Sequence, residues 1–273
     1  MADLIIEPGR TEKNYWTDLW RFRQLFYFLA WRDILVRYKQ TVVGVAWAVL
    51  RPFLTMAIFT IVFSRIAKLP SVGTAPYAIL VMAGMLPWQF ISASISASSE
   101  SLVGSSNLIS KIYFPRLIIP SSAIVTSFVD FLITLVLMAA MMLWYGFAPD
   151  WRLVFLPLFM ILAFGCALGV GLWLSALMVE YRDVRHVVPF IVQVGMYVSP
   201  VGFSSNVVPA KWRLLYSLNP VVGIIDGFRW SLMRGQMDLR WPVLLLSVAI
   251  SLVLAVSGIW YFRKTERTFA DVI

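Results

Sequence analysis

The sequence predicts an all-α integral membrane protein. It should have six transmembrane helices, an amphipathic interface helix before the first and short re-entrant helices before the last. Three observations carry this reading. Of 273 residues, 60% are hydrophobic and mean hydropathy is +0.80, whereas soluble domains rarely exceed about half apolar. Six stretches approach the roughly 20 apolar residues that a helix needs to cross a bilayer. The basic residues mostly flank those stretches.

The leading segment, Trp16 to Thr41, is too charged to cross and too aromatic to float free. At about 100° per residue, Arg21, Gln24 and Arg32 share one arc, while Trp16, Trp20, Tyr27, Trp31 and Ile34 share another. Aromatic rings beside cations describe a helix lying in the membrane interface; the alternative is an ordinary juxtamembrane helix that anchors the first span. Residues 1–41 thus form a tail and interface helix, and 42–273 a membrane domain. The first forty residues lack an apolar core before a small-residue cleavage site, so no cleavable signal is expected.

The first span is expected over 42–64, with Arg51 either snorkelling to the membrane face or resting against a lipid phosphate. The second, 77–99, contains Gly84 and Pro87 and is expected to be broken or bent. Its serine run suits either close packing or a wet path. Residues 100–117 are too polar and broken to cross. The third span, 118–145, carries Asp130 near its middle, where a carboxylate either lines a conduit or bonds to Ser127 or Thr134. The fourth, 152–179, holds Gly165 and Gly169 at the spacing of a tight helix crossing. A charged turn follows at 180–186, then a fifth span over 187–207. Residues 209–241 contain apolar runs too short to cross, interrupted by Asn219-Pro220, Asp226 and Arg229, which fits a pair of helices dipping into the outer leaflet. The sixth span is 242–262.

Composition excludes several functions. One cysteine, Cys166, permits no intrachain disulfide, and with one histidine, His186, a Cys/His metal cluster is not expected. The formal charge of +9 is set beside apolar spans, so anionic lipid is a better partner than nucleic acid. No GxxxxGK[ST] loop occurs, so a nucleotide that drives this protein must bind another chain. Lys and Arg concentrate at the termini and in the connections after spans two and four, which puts both termini in the cytoplasm. The basic 209–241 region works against that bias.

Several segments in order give a family resemblance: RDILVRYKQTVVGVAWAVLRP into the first span, AGMLPWQF in the second, SNLISKIYFPRLIIP after it, EYRDVRHVVPFIVQ, SLNPVVGIIDGFRW and YFRKTERTFADVI. Together they resemble the membrane subunit of type-2 ABC exporters, in the branch that exports O-antigen and related lipid-linked polysaccharides. The resemblance implies a bacterial inner-membrane homodimer around a central conduit. It also implies a separate ATPase in two copies, with ATP and Mg on that partner and no cofactor in this chain. The cargo would be a glycan on a polyprenyl diphosphate. The ATPase would dock at Arg32, Asp33, Lys111, Tyr113, Phe114, Arg116, Glu180, Tyr181, Arg182, Asp183 and Arg185. The lipid diphosphate would enter past Arg37, Tyr38, Lys39 and Arg51. Trp88, Phe90, Ser92, Ser96 and Asp130 would face the glycan, and Asn219, Pro220, Asp226, Arg229 and Trp230 would form a periplasmic gate.

Sugar recognition favours aromatic faces and hydroxyls, and a diphosphate favours cations at the membrane face. A capsule, teichoic acid or drug exporter would share the fold. A membrane lipid-sugar transferase would need clustered acids to hold a metal, whereas Glu100, Asp130, Glu180 and Asp226 are scattered. An ion-coupled carrier would show internal repeats, and none is seen.

Overall fold

The computed structural model describes residues 15–39 and 42–269. The N-terminal tail with Arg10 and Lys13, the link at 40–41 that ends the predicted interface helix, and the last four residues of the C-terminal motif lie outside the described residues. Helix is the regular secondary structure of the described residues, and no strand occurs among them. Two helices, α1 (Tyr15–Arg21) and α2 (Arg23–Tyr38), replace the single expected interface helix, with a break at Phe22. They are followed by α3 (Val42–Phe59), which runs into a π-helical segment Thr60–Ile66. Then come α4 (Tyr77–Gly104), α5 (Ser106–Ile109), α6 (Ile118–Trp144), α7 (Leu156–Glu180), α8 (Val184–Val198), α9 (Ala210–Tyr216), α10 (Pro220–Leu232) and α11 (Trp241–Thr265).

Among the described residues, five helical segments are long and apolar enough to cross a membrane: Ala46–Ile66, Tyr77–Gly104, Ile118–Trp144, Trp151–Glu180 and Trp241–Thr265. The expected fifth span is shorter than the sequence suggested. Pro200 disfavours a helical conformation at Ser199, which is extended (φ −92°, ψ 150°), so α8 stops at Val198 after 15 residues. At 1.5 Å per residue it covers about 22 Å, less than the roughly 30 Å hydrocarbon core.

Helix α4 is the axis of the bundle. It packs between α6 and α7, and 83% of its most apolar stretch is buried, against 11% for Ala46–Ile66 and 17% for α11. The expected break at Gly84 and Pro87 does not occur: α4 is one helix of 28 residues with Pro87 inside it. Flanking helices α6 and α7 support it through the missing N–H, as membrane helices permit. Its serines divide. Ser94, Ser98 and Ser99 are fully buried, and Ser98 meets α7 at Gly171, where a Cβ would lie 2.8 Å from the serine hydroxyl. Close packing therefore accounts for that side of the run.

Helix α7 also crosses α11 at backbone contact. A Cβ on Gly258 would lie 2.4 Å from the Gly169 carbonyl oxygen, and a Cβ on Gly169 would lie 2.4 Å from the backbone of Leu254. Gly165, the other half of the GxxxG, has nothing within 4 Å of its would-be Cβ. The two ends of the bundle are distinct. The near face holds Tyr15, Glu266 and Phe269; the far face holds α9, α10 and the turn between α8 and α9.

A side chain at Gly258 must push two backbones apart, and such overpacking typically costs about 1–3 kcal/mol or more. G258L should lower the melting temperature of the detergent-solubilised protein by several degrees, while G165L should leave it nearly unchanged. Thermal unfolding followed by size-exclusion chromatography checks this; equal losses for the two variants would contradict the packing described.

Candidate functional site

Polar side chains collect at three depths. The middle one is built on Asp130, one residue from the midpoint of α6. The Tyr38 hydroxyl donates to Asp130 Oδ1, and the Arg37 guanidinium lies 2.9 Å from Oδ2. The alternative of Ser127 or Thr134 as the carboxylate's partner is overturned. Thr134 donates to the Asp130 backbone carbonyl at 2.9 Å, and the buried Ser127 hydroxyl has no partner among the described residues. The reason is energetic: a carboxylate at mid-helix costs about 2.5–3.5 kcal/mol on insertion scales, and a neutral hydroxyl compensates far less than a guanidinium.

This contact sets the path of α2. Leu29 joins Ile118 and Ile119 in a near-face apolar cluster, and two to three turns further along each helix Arg37 and Tyr38 meet Asp130. Helix α2 therefore climbs beside α6 in the same direction. It buries Leu29 and Ala30 and leaves Trp16, Trp20, Tyr27 and Trp31 of the N-terminal segment exposed. A cleft of about 450 Å³ between α2, the end of α4 and the first half of α6 is bordered by Arg32, Asp33, Glu100, Ser101 and Thr126. Arg32 and Asp33 pair with each other at 2.8 Å. Lys39 and Arg51 are exposed, and Arg51 has no ion pair among the described residues.

At the near face, α7 ends at Glu180, Tyr181 is extended (φ −125°, ψ 105°), and α8 begins at Val184. Arg182, Asp183 and Arg185 are exposed on this short turn and share a cleft of about 480 Å³ with Ser106. In the other loop, Lys111 and Tyr113 are exposed, but Phe114 is 4% exposed and anchors the loop in the near-face cluster with Phe262 and Phe269. Arg116 donates to the Glu266 carbonyl, and the Tyr15 hydroxyl donates to Glu266 Oε2 at 3.0 Å. Burial pushes the Glu266 carboxyl up to about 7, against the pull of the Tyr15 hydroxyl, Arg116 and Arg263. Sequence reasoning missed Tyr15 and Glu266. The available signal was a lone acid among Arg263, Lys264 and Arg267.

At the far face, the gate candidates fall mainly in α10, which is core. Asn219 caps α10, accepting from Val221 N at 3.0 Å and donating to Ser199 Oγ at 2.9 Å, and Pro220 is its first residue. Arg229 is fully buried and donates to three carbonyls: Leu80 at 3.2 Å, Phe203 at 2.8 Å and Val201 at 2.9 Å. Gly84 is what admits it, since a Cβ there would lie 2.6 Å from Nη2. Asp226 accepts from Ser205 at 2.8 Å. Trp230 packs edge-on to Phe155 and under the Arg152 guanidinium. Helix α9, by contrast, exposes Trp212, Leu214 and Leu215.

The glycan-facing candidates are not gathered on one surface of this chain. Phe90 is 1% exposed inside a ring cluster with Phe128, Phe131 and Phe164. Trp88 is buried against Gly195 of α8. Ser92 and Ser96 are partly exposed.

A buried helical axis, apolar outer helices, charged near-face turns and a polar far-face cap define a multi-pass membrane protein with the layout of a transport subunit. The chain belongs to the ABC-2 type transporter family, whose model matches residues 24–233. It is 26% identical over 259 residues to the O-antigen export system permease protein RfbA of Myxococcus xanthus, covering 94% of this chain and 98% of that one. Two Klebsiella pneumoniae proteins of the same name are 27% and 26% identical over 243 residues, covering 89% of this chain and 92% of each relative. Permease subunits of this family are not themselves catalytic, and membership implies an ABC ATPase partner.

Two outcomes test the site geometry. In a double-mutant cycle of R37A and D130A, each single change should destabilise the protein. The double should lose less than their sum, with a coupling on the order of 1 kcal/mol, measured by thermal or denaturant unfolding in detergent; strict additivity would contradict the pair. Glu266 is protonated more readily folded than unfolded, so its contribution is fully present below its ordinary value of 4.5 and is lost as pH rises through about 7. The melting temperature of the wild type should therefore fall relative to E266Q between about pH 5 and about pH 8, and a relative rise would contradict this assignment.

Proposed function

We propose that this chain is the permease of an ATP-driven exporter that moves a polyprenyl-diphosphate-linked polysaccharide from cytoplasm to periplasm. The observation that carries the reading is the near full-length similarity to proteins named O-antigen export system permease. In this reading the chain crosses the inner membrane six times. Helix α8 and the turn after it make the fifth crossing, since α8 starts beside Ser106 at the near face while Val201 and Phe203 receive Arg229 at the far face. Both termini are then cytoplasmic.

Two copies enclose the conduit. Large exposed apolar side chains on α3 and α8, such as Phe53, Ile58, Phe190 and Tyr197, supply surface for a second copy to cover. ATP and Mg²⁺ bind the partner ATPase, which docks on the near face at Arg182, Asp183 and Arg185 and beside Lys111 and Tyr113. The headgroup approaches past Lys39, Arg51 and Arg37. Asp130 compensates the Arg37 charge until a diphosphate competes for it, which keeps the cation available without a fixed high-affinity trap.

Co-expression with an ABC ATPase of the same export system, followed by purification on a tag in this chain, tests the proposal. A stoichiometric ATPase should be retained, and R182A with D183A should cut its hydrolysis rate several-fold. Purification of the chain alone, in both mild detergent and nanodiscs, would contradict the reading.

A further inference from the structure

A cleft of about 1060 Å³ opens on the near face between α1, the turn at 113–116 and the last turns of α11. The docking ATPase proposed above reaches only its rim at Tyr113, and the wall along α11 has no role in that account. Its mouth carries Arg263 and Lys264, and its wall runs back along α11 past Trp260 and Ile259 to Val256. Val256 and Lys264 are eight residues apart, about 12 Å along the helix, so the cleft reaches from the charged end of the last span into the hydrocarbon. Trp16 and Trp260, 55% and 61% exposed, flank it at the level where aromatic rings meet headgroups.

The cations are presented rather than consumed. The Arg263 guanidinium lies 4.5 Å from the Tyr15 ring centroid and 5.9 Å from that of Trp16, and Lys264 Nζ lies 5.3 Å from that of Trp260. Neither makes a salt bridge within 4 Å among the described residues. The Arg263 Nε is buried with no hydrogen-bond partner among them, and an unsatisfied buried donor calls for an acceptor. The acids bordering the cleft are Asp18 and Glu266. Glu266 is engaged by the Tyr15 hydroxyl, and burial pushes its carboxyl up to about 7. Arg116 and Arg267 also border the cleft, each with interactions of its own.

We propose that this cleft binds the headgroup of an anionic phospholipid, with its phosphate facing Arg263 and Lys264 and its upper acyl chain against Ile259 and Val256. The depth of the cleft selects a lipid over a docked protein, because a partner arriving from water reaches only the polar mouth. The same lipid would touch α1, the 113–116 turn and the end of α11, and so tie three near-face elements together.

Native mass spectrometry of the purified chain, titrated with phosphatidylglycerol and separately with phosphatidylcholine, reads the site directly. Phosphatidylglycerol should be retained in preference, and R263Q with K264Q should weaken its retention about tenfold or more. R65Q with K68Q, at the far face, should not weaken it. V256W keeps both cations but fills the apolar end, and should also weaken retention; it guards against a misfolded double variant, with monodisperse elution required of each. Equal retention of the two lipids, or unchanged retention in both R263Q/K264Q and V256W, would overturn the proposal. So would loss of the co-purifying ATPase from R263Q/K264Q with lipid retention intact, which would make the face a protein contact.

Discussion

A carboxylate at the middle of a membrane-spanning helix must be paired, and Asp130 is paired by a helix that sequence reasoning placed outside the bundle. The guanidinium of Arg37 and the hydroxyl of Tyr38 both reach it. That requirement draws α2 up along the first half of α6, turns Leu29 and Ala30 inward, and leaves the aromatic arc of the N-terminal segment facing outward. The segment so fixed has one end at the near face and the other at the depth of Asp130. It is joined to the bundle by a charge pair, which has a preferred geometry, as well as by apolar contact.

The far face rests on a second buried cation. Arg229 binds carbonyls from α4 and from the turn after α8, so three separate pieces of chain meet on one side chain. A guanidinium suits this role because its donors lie in one plane and stay charged. Helix α10 is thereby part of the core. Helix α9, by contrast, exposes Trp212, Leu214 and Leu215.

Much of the helical layout was legible because bilayer thickness imposes a length on apolar runs. The 77–99, 118–145 and 242–262 stretches were found within a few residues of α4, α6 and α11, though α4 continues to Gly104. The failures have physical causes. Pro87 predicted a break or a bend; the break does not occur, because α6 and α7 support the helix on both sides. The fifth span was drawn too long because the apolar residues past Pro200 continue the hydropathy without continuing the helix. Among site residues, the loop cations could be located from sequence. The pairing of Asp130 with Arg37 and Tyr38 could not, since those residues are more than ninety positions apart. Phe90 was read as a channel surface because an aromatic in a polar run resembles a sugar platform; it is a packing residue among three other phenylalanines.

The proposed export role is tested most directly in the host cell with this gene removed. The account predicts that surface polysaccharide disappears and that the polyprenyl-diphosphate-linked glycan accumulates on the cytoplasmic side, as seen by extraction of the lipid-linked intermediate. A wild-type copy should restore export, while D130N should restore it poorly although the protein still reaches the membrane. Unchanged surface polysaccharide in the deleted strain, with no accumulated lipid-linked glycan, would contradict the account.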